Sequence, residues 1–378
     1  MKKLAIGLMS GTSLDGIDIV LAEISGVSLD TNVRVLIEDT YPLDQHIIDK
    51  IHQVMDKHAS SSKLISSLNV ELGYVFGQAV LDFAKEHGVD LKDVNFIASH
   101  GQTIYHIAQN EDDFYRSSLQ LGEAAVIADM CNTTVVYNFR NADIASGGQG
   151  APLVPYADYI LFRDKEKTRS IHNIGGIANM TFLKKNGDLD DVIAFDSGPG
   201  NMMINEAMQL LYHRPYDKDG VVASKGKMIE ALYDDIYKHP YFAQTYPKST
   251  GRELFGSSYT KQMIDKYYRH PKEDIVHTLS MITVNSIVDS YQKLIRENVD
   301  ELILCGGGAF NHFLKNEISK QMKNTKIITL EELGYNSSYK EALAFIILAN
   351  QTLHKKPSNV KSATGAKAYK ILGQIQYI

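Results

Sequence analysis

The 378-residue chain has no tryptophan, nine prolines and two cysteines. Cys131 and Cys305 are too few for a disulfide framework or a thiolate zinc site, so a reducing, cytoplasmic setting is expected. No basic excess is present: 39 Lys plus Arg against 45 Asp plus Glu leave a net charge of −6. Without a basic stripe, no nucleic-acid partner is expected. Uninterrupted apolar runs such as residues 345–349 fall far short of the roughly 18 residues of a membrane helix, and no membrane association is expected. Lys2 and Lys3 precede a short apolar stretch that resembles a signal peptide, but Ser10, Asp15 and Asp18 end it too early. What is present is ordinary globular material, 44% hydrophobic and 22% charged, long enough for two or three domains.

Period and punctuation predict short strands at residues 4–9, 18–24 and 33–40. Apolar residues at three- and four-residue spacing predict a helix over 61–87, with Gly88 placed to end it. A strand at 96–99, a helix at 123–130 and a strand at 133–139 follow. Residues 141–155 hold Gly147, Gly148, Gly150, Pro152 and Pro155, and read as the crossing between two domains. After it the opening is repeated in kind, with strands at 169–174, 177–183 and 192–195, then 301–305 and 326–330, and a last helix at 338–354. The expectation is a duplicated mixed α/β architecture with a cleft between the halves. Its domains are 1–139 plus 355–378, and 140–354.

Three glycine turns follow apolar strands. In the first, Gly11, Thr12, Ser13, Leu14, Asp15, Gly16, Ile17 and Asp18 offer backbone and hydroxyl donors for a phosphate, with Asp15 and Asp18 as candidate magnesium ligands. The competing reading is a plain β-hairpin turn. It is not a Walker A loop, because the Gly-Lys-Ser/Thr ending is missing. The second turn centres on Asn173, Gly175 and Gly176; the third is Gly306, Gly307 and Gly308 before Asn311. Three glycines allow a flat ligand against backbone, or close packing of helix on strand. Asp196, at the end of a strand beside Gly198 and Gly200, stands where a general base belongs, and equally where an N-cap does. His100, His106 and His172 have no zinc-site spacing and read as structural hydrogen-bonding groups.

Taken in order, GLMSGTSLDGID at 7–18, SHGQT at 99–103, DIASGGQGAPLVP at 143–155, NIGGIAN at 173–179, FDSGPGN at 195–201, PKSTGRE at 247–253, GGGAFN at 306–311 and EALAF at 341–345 closely resemble the motif series of the anhydro-N-acetylmuramic acid kinase family. The series runs over almost the whole chain, to SATGA at 362–366. Departures are mild: Ser197 where threonine is more usual, and Lys361 where proline is common.

The resemblance implies an α/β protein of two ribonuclease H-like domains, as in sugar kinases, Hsp70 and actin, binding ATP and Mg2+. It implies transfer of the γ-phosphoryl of ATP to O6 of 1,6-anhydro-N-acetylmuramic acid, coupled to opening of the anhydro ring, in cell-wall recycling. The bridge oxygen is an ether and a poor nucleophile, so breaking its bond to the anomeric carbon by water attack supplies the electron pair the transfer needs. Asp196 matches the implied base for that water. Gln102, His106, Arg140, Asp143, Gln149, Lys248 and Arg252 lie in motifs suited to the sugar, an arginine matching its carboxylate. Glu341 is either a second site carboxylate or a first-turn helix glutamate. A homodimer is implied. The readings set against this one are a sugar kinase without ring opening and an ATP-driven conformational switch.

Overall fold

Twelve strands form two sheets that belong to two separate units, Met1–Leu161 with Ser338–Ile378, and Phe162–Ser337. The computed structural model describes residues 2–11, 14–111 and 113–378. Thr12 and Ser13, nominated from the first glycine turn, lie outside the described residues.

In the first unit β1 (Lys3–Ser10), β2 (Ile17–Ser25) and β3 (Asn32–Tyr41) form an antiparallel meander. β4 (Val94–Ile107) runs parallel to β1, β5 (Ser117–Leu121) folds back on the end of β4, and β6 (Val135–Tyr137) lies parallel to β4 on its other side. In the second unit β7 (Arg169–Ile174), β8 (Ile177–Leu183) and β9 (Ile193–Pro199) repeat the meander; β10 (Glu301–Cys305) lies parallel to β7 and β11 (Lys326–Thr329) parallel to β10. The second sheet has the order β9-β8-β7-β10-β11 and the first the order β3-β2-β1-β4-β6, with β5 added on the end of β4, so both share the ribonuclease H-like topology expected. β12 (Gln374–Gln376) adds an antiparallel edge to β6.

The periodic segment forms the helix Ser62–His87, whose first turn is capped by the Ser61 hydroxyl accepting from Leu64 N–H at 3.2 Å. Gly88 ends it at φ +67°, a conformation glycine adopts without penalty. Among the described residues this is the one helix long and apolar enough to cross a membrane. It buries Leu68, Leu72, Phe76, Val80 and Phe83 in the core of the first unit, each side chain stabilising by about 1.5–3 kcal/mol. In the second unit the helix Lys272–Asp289 is apolar nearly all round, with Ile275, Val276, Leu279, Ile282, Val284, Ile287 and Val288 buried.

The unit boundaries differ from those expected at 139/140 and 354/355. Residues 140–161 and 338–354 pack with the first unit, for reasons set by contacts far apart in sequence. The helix Lys340–Leu353 lies on β1, β2 and β4, and a Cβ at Gly7 on β1 would collide with the Ala342 carbonyl. Lys340 pairs with Asp158 at 2.8 Å, both buried. The Gly- and Pro-rich stretch 141–155 is therefore part of the first unit, not a crossing between the two.

Candidate active site

In the second unit, β9 pairs with β8 through an irregularity: Asn179 faces Asp196, Ala178 faces Gly198, and Ser197 is the extra residue between them. This bulge re-aims the strand end. The Asp196 amide donates to Lys248 C=O at 3.1 Å, its carbonyl accepts from Tyr241 O–H at 2.6 Å, and Oδ2 accepts from Thr250 N–H at 2.9 Å. Burial pushes the carboxyl up to about 6, with Glu253 adding to the rise and Thr250 N–H and Lys248 opposing it. A carboxylate with that affinity takes a proton near neutrality and gives it up readily.

Beneath the bulge runs a buried polar chain. Ser197 Oγ donates to Ala178 C=O at 3.1 Å and so accepts from His172 Nε2 at 3.1 Å; His172 Nδ1 then accepts from Tyr291 O–H at 2.8 Å. Burial holds the imidazole neutral, at about 3. His172 is thus the structural hydrogen-bonding group its spacing suggested, and the Ser197 hydroxyl fixes the residue next to Asp196.

The second and third turns meet at the start of the helix Met202–Tyr212. Gly175 C=O accepts from Asn201 N–H at 2.7 Å, and Gly176 C=O from Gly200 N–H at 2.9 Å. The three consecutive glycines divide by function. Gly306 has φ +76° and a Cβ there would collide with the Asn173 side chain; one on Gly308 would collide with Ile174; at Gly307 the nearest atom is Asn201 Nδ2 at 3.9 Å. Close packing explains two of them, and Gly307 presents open backbone. Asn311 caps the helix His312–Gln321 by accepting from Leu314 N–H at 3.1 Å.

In the first unit the first turn rests on a strut. Ser10 Oγ donates to Gln102 Oε1 at 2.6 Å, and Gln102 Nε2 reaches Thr103 C=O at 3.2 Å and Gly11 C=O at 3.4 Å. Leu14 and Ile17 point into the core, and Gly16 lies against Tyr41 backbone with no room for a side chain. Asp15 is exposed; Asp18 accepts from Thr40 Oγ1 at 2.7 Å, and burial and the Asp15 charge raise its carboxyl. The one three-ligand cluster among the described residues is elsewhere, at Asp39, Glu86 and His87.

Arg140 Nη2 donates to His100 Nε2 at 2.8 Å and Nη1 to Gly150 C=O at 2.8 Å, while His100 Nδ1 donates to Gly101 C=O at 2.8 Å. Burial and the guanidinium keep His100 neutral, so one tautomer satisfies both contacts. Burial lowers Arg140 to about 10, against the pull of Glu341. Glu341, in the first turn of Lys340–Leu353, makes no hydrogen bond with a described residue. Desolvation by the protein around it raises its carboxyl, Asp18 and Asp158 adding and Lys340 and Arg140 opposing.

The family model of anhydro-N-acetylmuramic acid kinase matches residues 3–378. The chain belongs to the anhydro-N-acetylmuramic acid kinase family. It is 50% identical over 377 residues to the anhydro-N-acetylmuramic acid kinase of Francisella tularensis subsp. novicida (strain U112), covering 99% of each chain. To the enzyme of that name from Clostridioides difficile (strain 630) it is 48% identical over 373 residues, 98% of this chain and 97% of that one. Among solved structures, the activator of the 2-hydroxyisocaproyl-CoA dehydratase from Clostridium difficile aligns with a TM-score of 0.43 and 12% identity over 92% of this chain and 94% of that one, too distant to add to the family match.

Of the residues that resemblance to the anhydro-N-acetylmuramic acid kinase family nominates, Asp196 and Lys248 come together in the second unit, and Arg140 and Glu341 interact in the first. Asp143 does not stand open to a ligand. Its side chain is fully buried, accepting from Gly150 N–H at 2.9 Å, Asn359 Nδ2 at 2.8 Å and Thr364 Oγ1 at 2.8 Å. Gln149 uses its amide on Thr364 C=O at 2.8 Å, His106 Nδ1 lies 3.0 Å from Ser118 Oγ, and Arg252 is exposed. Sequence reasoning missed Tyr241, Thr250 and the pairing of His100 with Arg140. The motif neighbourhoods SHGQT and PKSTGRE pointed toward His100 and Thr250, and no motif pointed toward Tyr241.

Proposed function

We propose that the protein transfers the γ-phosphoryl group of ATP to O6 of 1,6-anhydro-N-acetylmuramic acid while water opens the anhydro bridge, giving N-acetylmuramic acid 6-phosphate and ADP for cell-wall recycling. The observation that carries this reading is Asp196, held at backbone and by one oxygen, with a carboxyl raised toward neutrality. In the proposed step Asp196 takes a proton from water, and the hydroxide bonds to the anomeric carbon. The bond from that carbon to O6 breaks, leaving its electron pair on O6, which bonds to the γ-phosphorus as ADP departs. Every atom of water is retained in the sugar phosphate or on the base.

In the second unit, the open backbone at Gly175, Gly176 and Gly307 fits a nucleotide. Asp15 and Asp18 fit a magnesium ion, because burial and the Asp15 charge raise the proton affinity of Asp18, and a cation relieves both. Magnesium, when bound, neutralises phosphate charge. Arg140 and Glu341 suit the sugar, the guanidinium being aimed by His100 and Gly150. Asp143 holds this loop without touching sugar. The reading extends to a cytoplasmic homodimer, to be checked by fractionation and sedimentation.

The test is the product mass after incubation with ATP, Mg2+ and the anhydro sugar. The reading expects a gain of one phosphoryl group plus one water. A gain of phosphoryl alone means a sugar kinase without ring opening, and ATP hydrolysis with unchanged sugar favours the conformational switch.

A further inference from the structure

The loop containing Lys248 and Thr250 clasps Asp196 entirely through backbone: Lys248 C=O receives the Asp196 amide and Thr250 N–H holds Oδ2. The side chains of that loop are left over. Lys248 is 9% exposed, with Nζ 4.6 Å from the ring centroid of Tyr241 and 5.9 Å from that of Phe195. No carboxylate among the described residues lies within ion-pair distance of it, and no oxygen accepts from it. Thr250 Oγ1 is buried and has no hydrogen-bond partner.

A buried ammonium that touches only ring faces, with Asp196 and Asp289 acting on it from beyond ion-pair distance, is costly, since cation–π attraction recovers about 0.5–2 kcal/mol of a larger desolvation loss. Burial pushes Lys248 down to about 8, with Asp196 and Asp289 opposing. A buried hydroxyl without a partner adds a further penalty. Both groups are donors, and they stand in one short loop against the same carboxylate. Tyr241 ties them together, its ring under Lys248 Nζ and its hydroxyl on the Asp196 carbonyl. What such a pair lacks is an acceptor carrying negative charge.

We propose that Lys248 Nζ and Thr250 Oγ1 form an anion subsite beside Asp196 that receives an anionic oxygen group of the bound substrates, either the carboxylate of the muramic acid or the phosphoryl group in transfer. This rests on the kinase reading above. The anion restores the pairing the protein withholds from Lys248, and the occupied subsite sets the substrate against the base.

The test is steady-state kinetics of the full chain with ATP and Mg2+, comparing Lys248→Met, Lys248→Arg and Thr250→Val on two sugars, 1,6-anhydro-N-acetylmuramic acid and 1,6-anhydro-N-acetylglucosamine, which has no carboxylate. Lys248→Met is expected to lower kcat/KM by roughly 30-fold or more, Thr250→Val by about 5- to 10-fold, and Lys248→Arg to recover part of the loss. The melting temperature of Lys248→Met should equal or exceed that of the parent, because an unpaired buried charge is removed; a structural lysine would lower it. If the carboxylate is the ligand, the loss is a rise in KM for the muramic sugar and preference over the glucosamine sugar disappears. If the phosphoryl group is the ligand, both sugars lose equally, in kcat. Lys248→Met and Thr250→Val within twofold of the parent on both sugars overturns the proposal. Should the parent phosphorylate neither sugar, the kinase reading fails, and inorganic phosphate then decides the subsite: a rise in melting temperature that Lys248→Met abolishes supports it, and equal responses overturn it.

Discussion

Asp143 in the first unit and Asp196 in the second both sit beside glycine-rich turns, and the number of donors each already serves separates them. Three donors from two parts of the chain converge on Asp143, one backbone amide, one amide side chain and one hydroxyl. Asp196 serves one, Thr250 N–H. A carboxylate whose acceptor positions are filled inside the protein organises the fold; one held at a single oxygen keeps the other for a proton. The contrast extends to their consequences. Losing Asp143 frees the Gly150 loop and the C-terminal segment from each other, whereas losing the charge of Asp196 leaves its strand in place.

The largest effect expected from this contrast is in turnover. Asp196→Asn should keep sugar and nucleotide binding, measured by calorimetry, while kcat falls by about 10²–10⁴-fold; near-parental turnover would remove Asp196 from the chemistry. Asp143→Ala should act on stability instead, lowering the free energy of unfolding by about 2–4 kcal/mol in a denaturant titration. An Asp143→Ala protein that is as stable as the parent but inactive would erase the distinction. Gly307→Val tests the open glycine: a Cβ there comes no closer than 3.9 Å to a protein atom, so the melting temperature should hold while nucleotide affinity drops on the order of tenfold. Unchanged nucleotide affinity would place the adenosine elsewhere. The smallest effect is in pH. Asp196 acts as a carboxylate, so kcat/KM should fall as pH drops through about 6 and hold above it until Lys248 begins to lose its proton near 8. A limb that stays flat down to the usual carboxylate range would contradict the raised affinity.

Local pattern made much of this legible. The helix Ser62–His87, with Ser61 before it and Gly88 after it, and the meanders opening both halves lie within one or two residues of where period and turn residues put them, except that β9 runs four residues beyond its expected end. Asp196 was expected at the end of a strand closing at 195 and lies instead inside β9, at its bulge. The helix Lys272–Asp289 was not legible, because it is buried on every side and shows no polar face. β5 and β12 are short and take their identity from partners on β4 and β6. The unit boundary was misread for a similar reason: a run of Gly and Pro at 141–155 resembles a linker until Asp143 reaches Asn359 and Thr364. The saturation of Asp143 and the aiming of Arg140 by His100 are likewise long-range facts, invisible in a motif that shows only neighbours along the chain.

The central claim is that Asp196 activates water at the anomeric carbon as O6 takes the phosphoryl group. The direct measurement is mass spectrometry of the product formed in water enriched in heavy oxygen, with fragmentation to locate the label. The account predicts one heavy oxygen at the anomeric position and none in the phosphoryl group. A sugar phosphate without label at that carbon, or with it in the phosphoryl group, would contradict it.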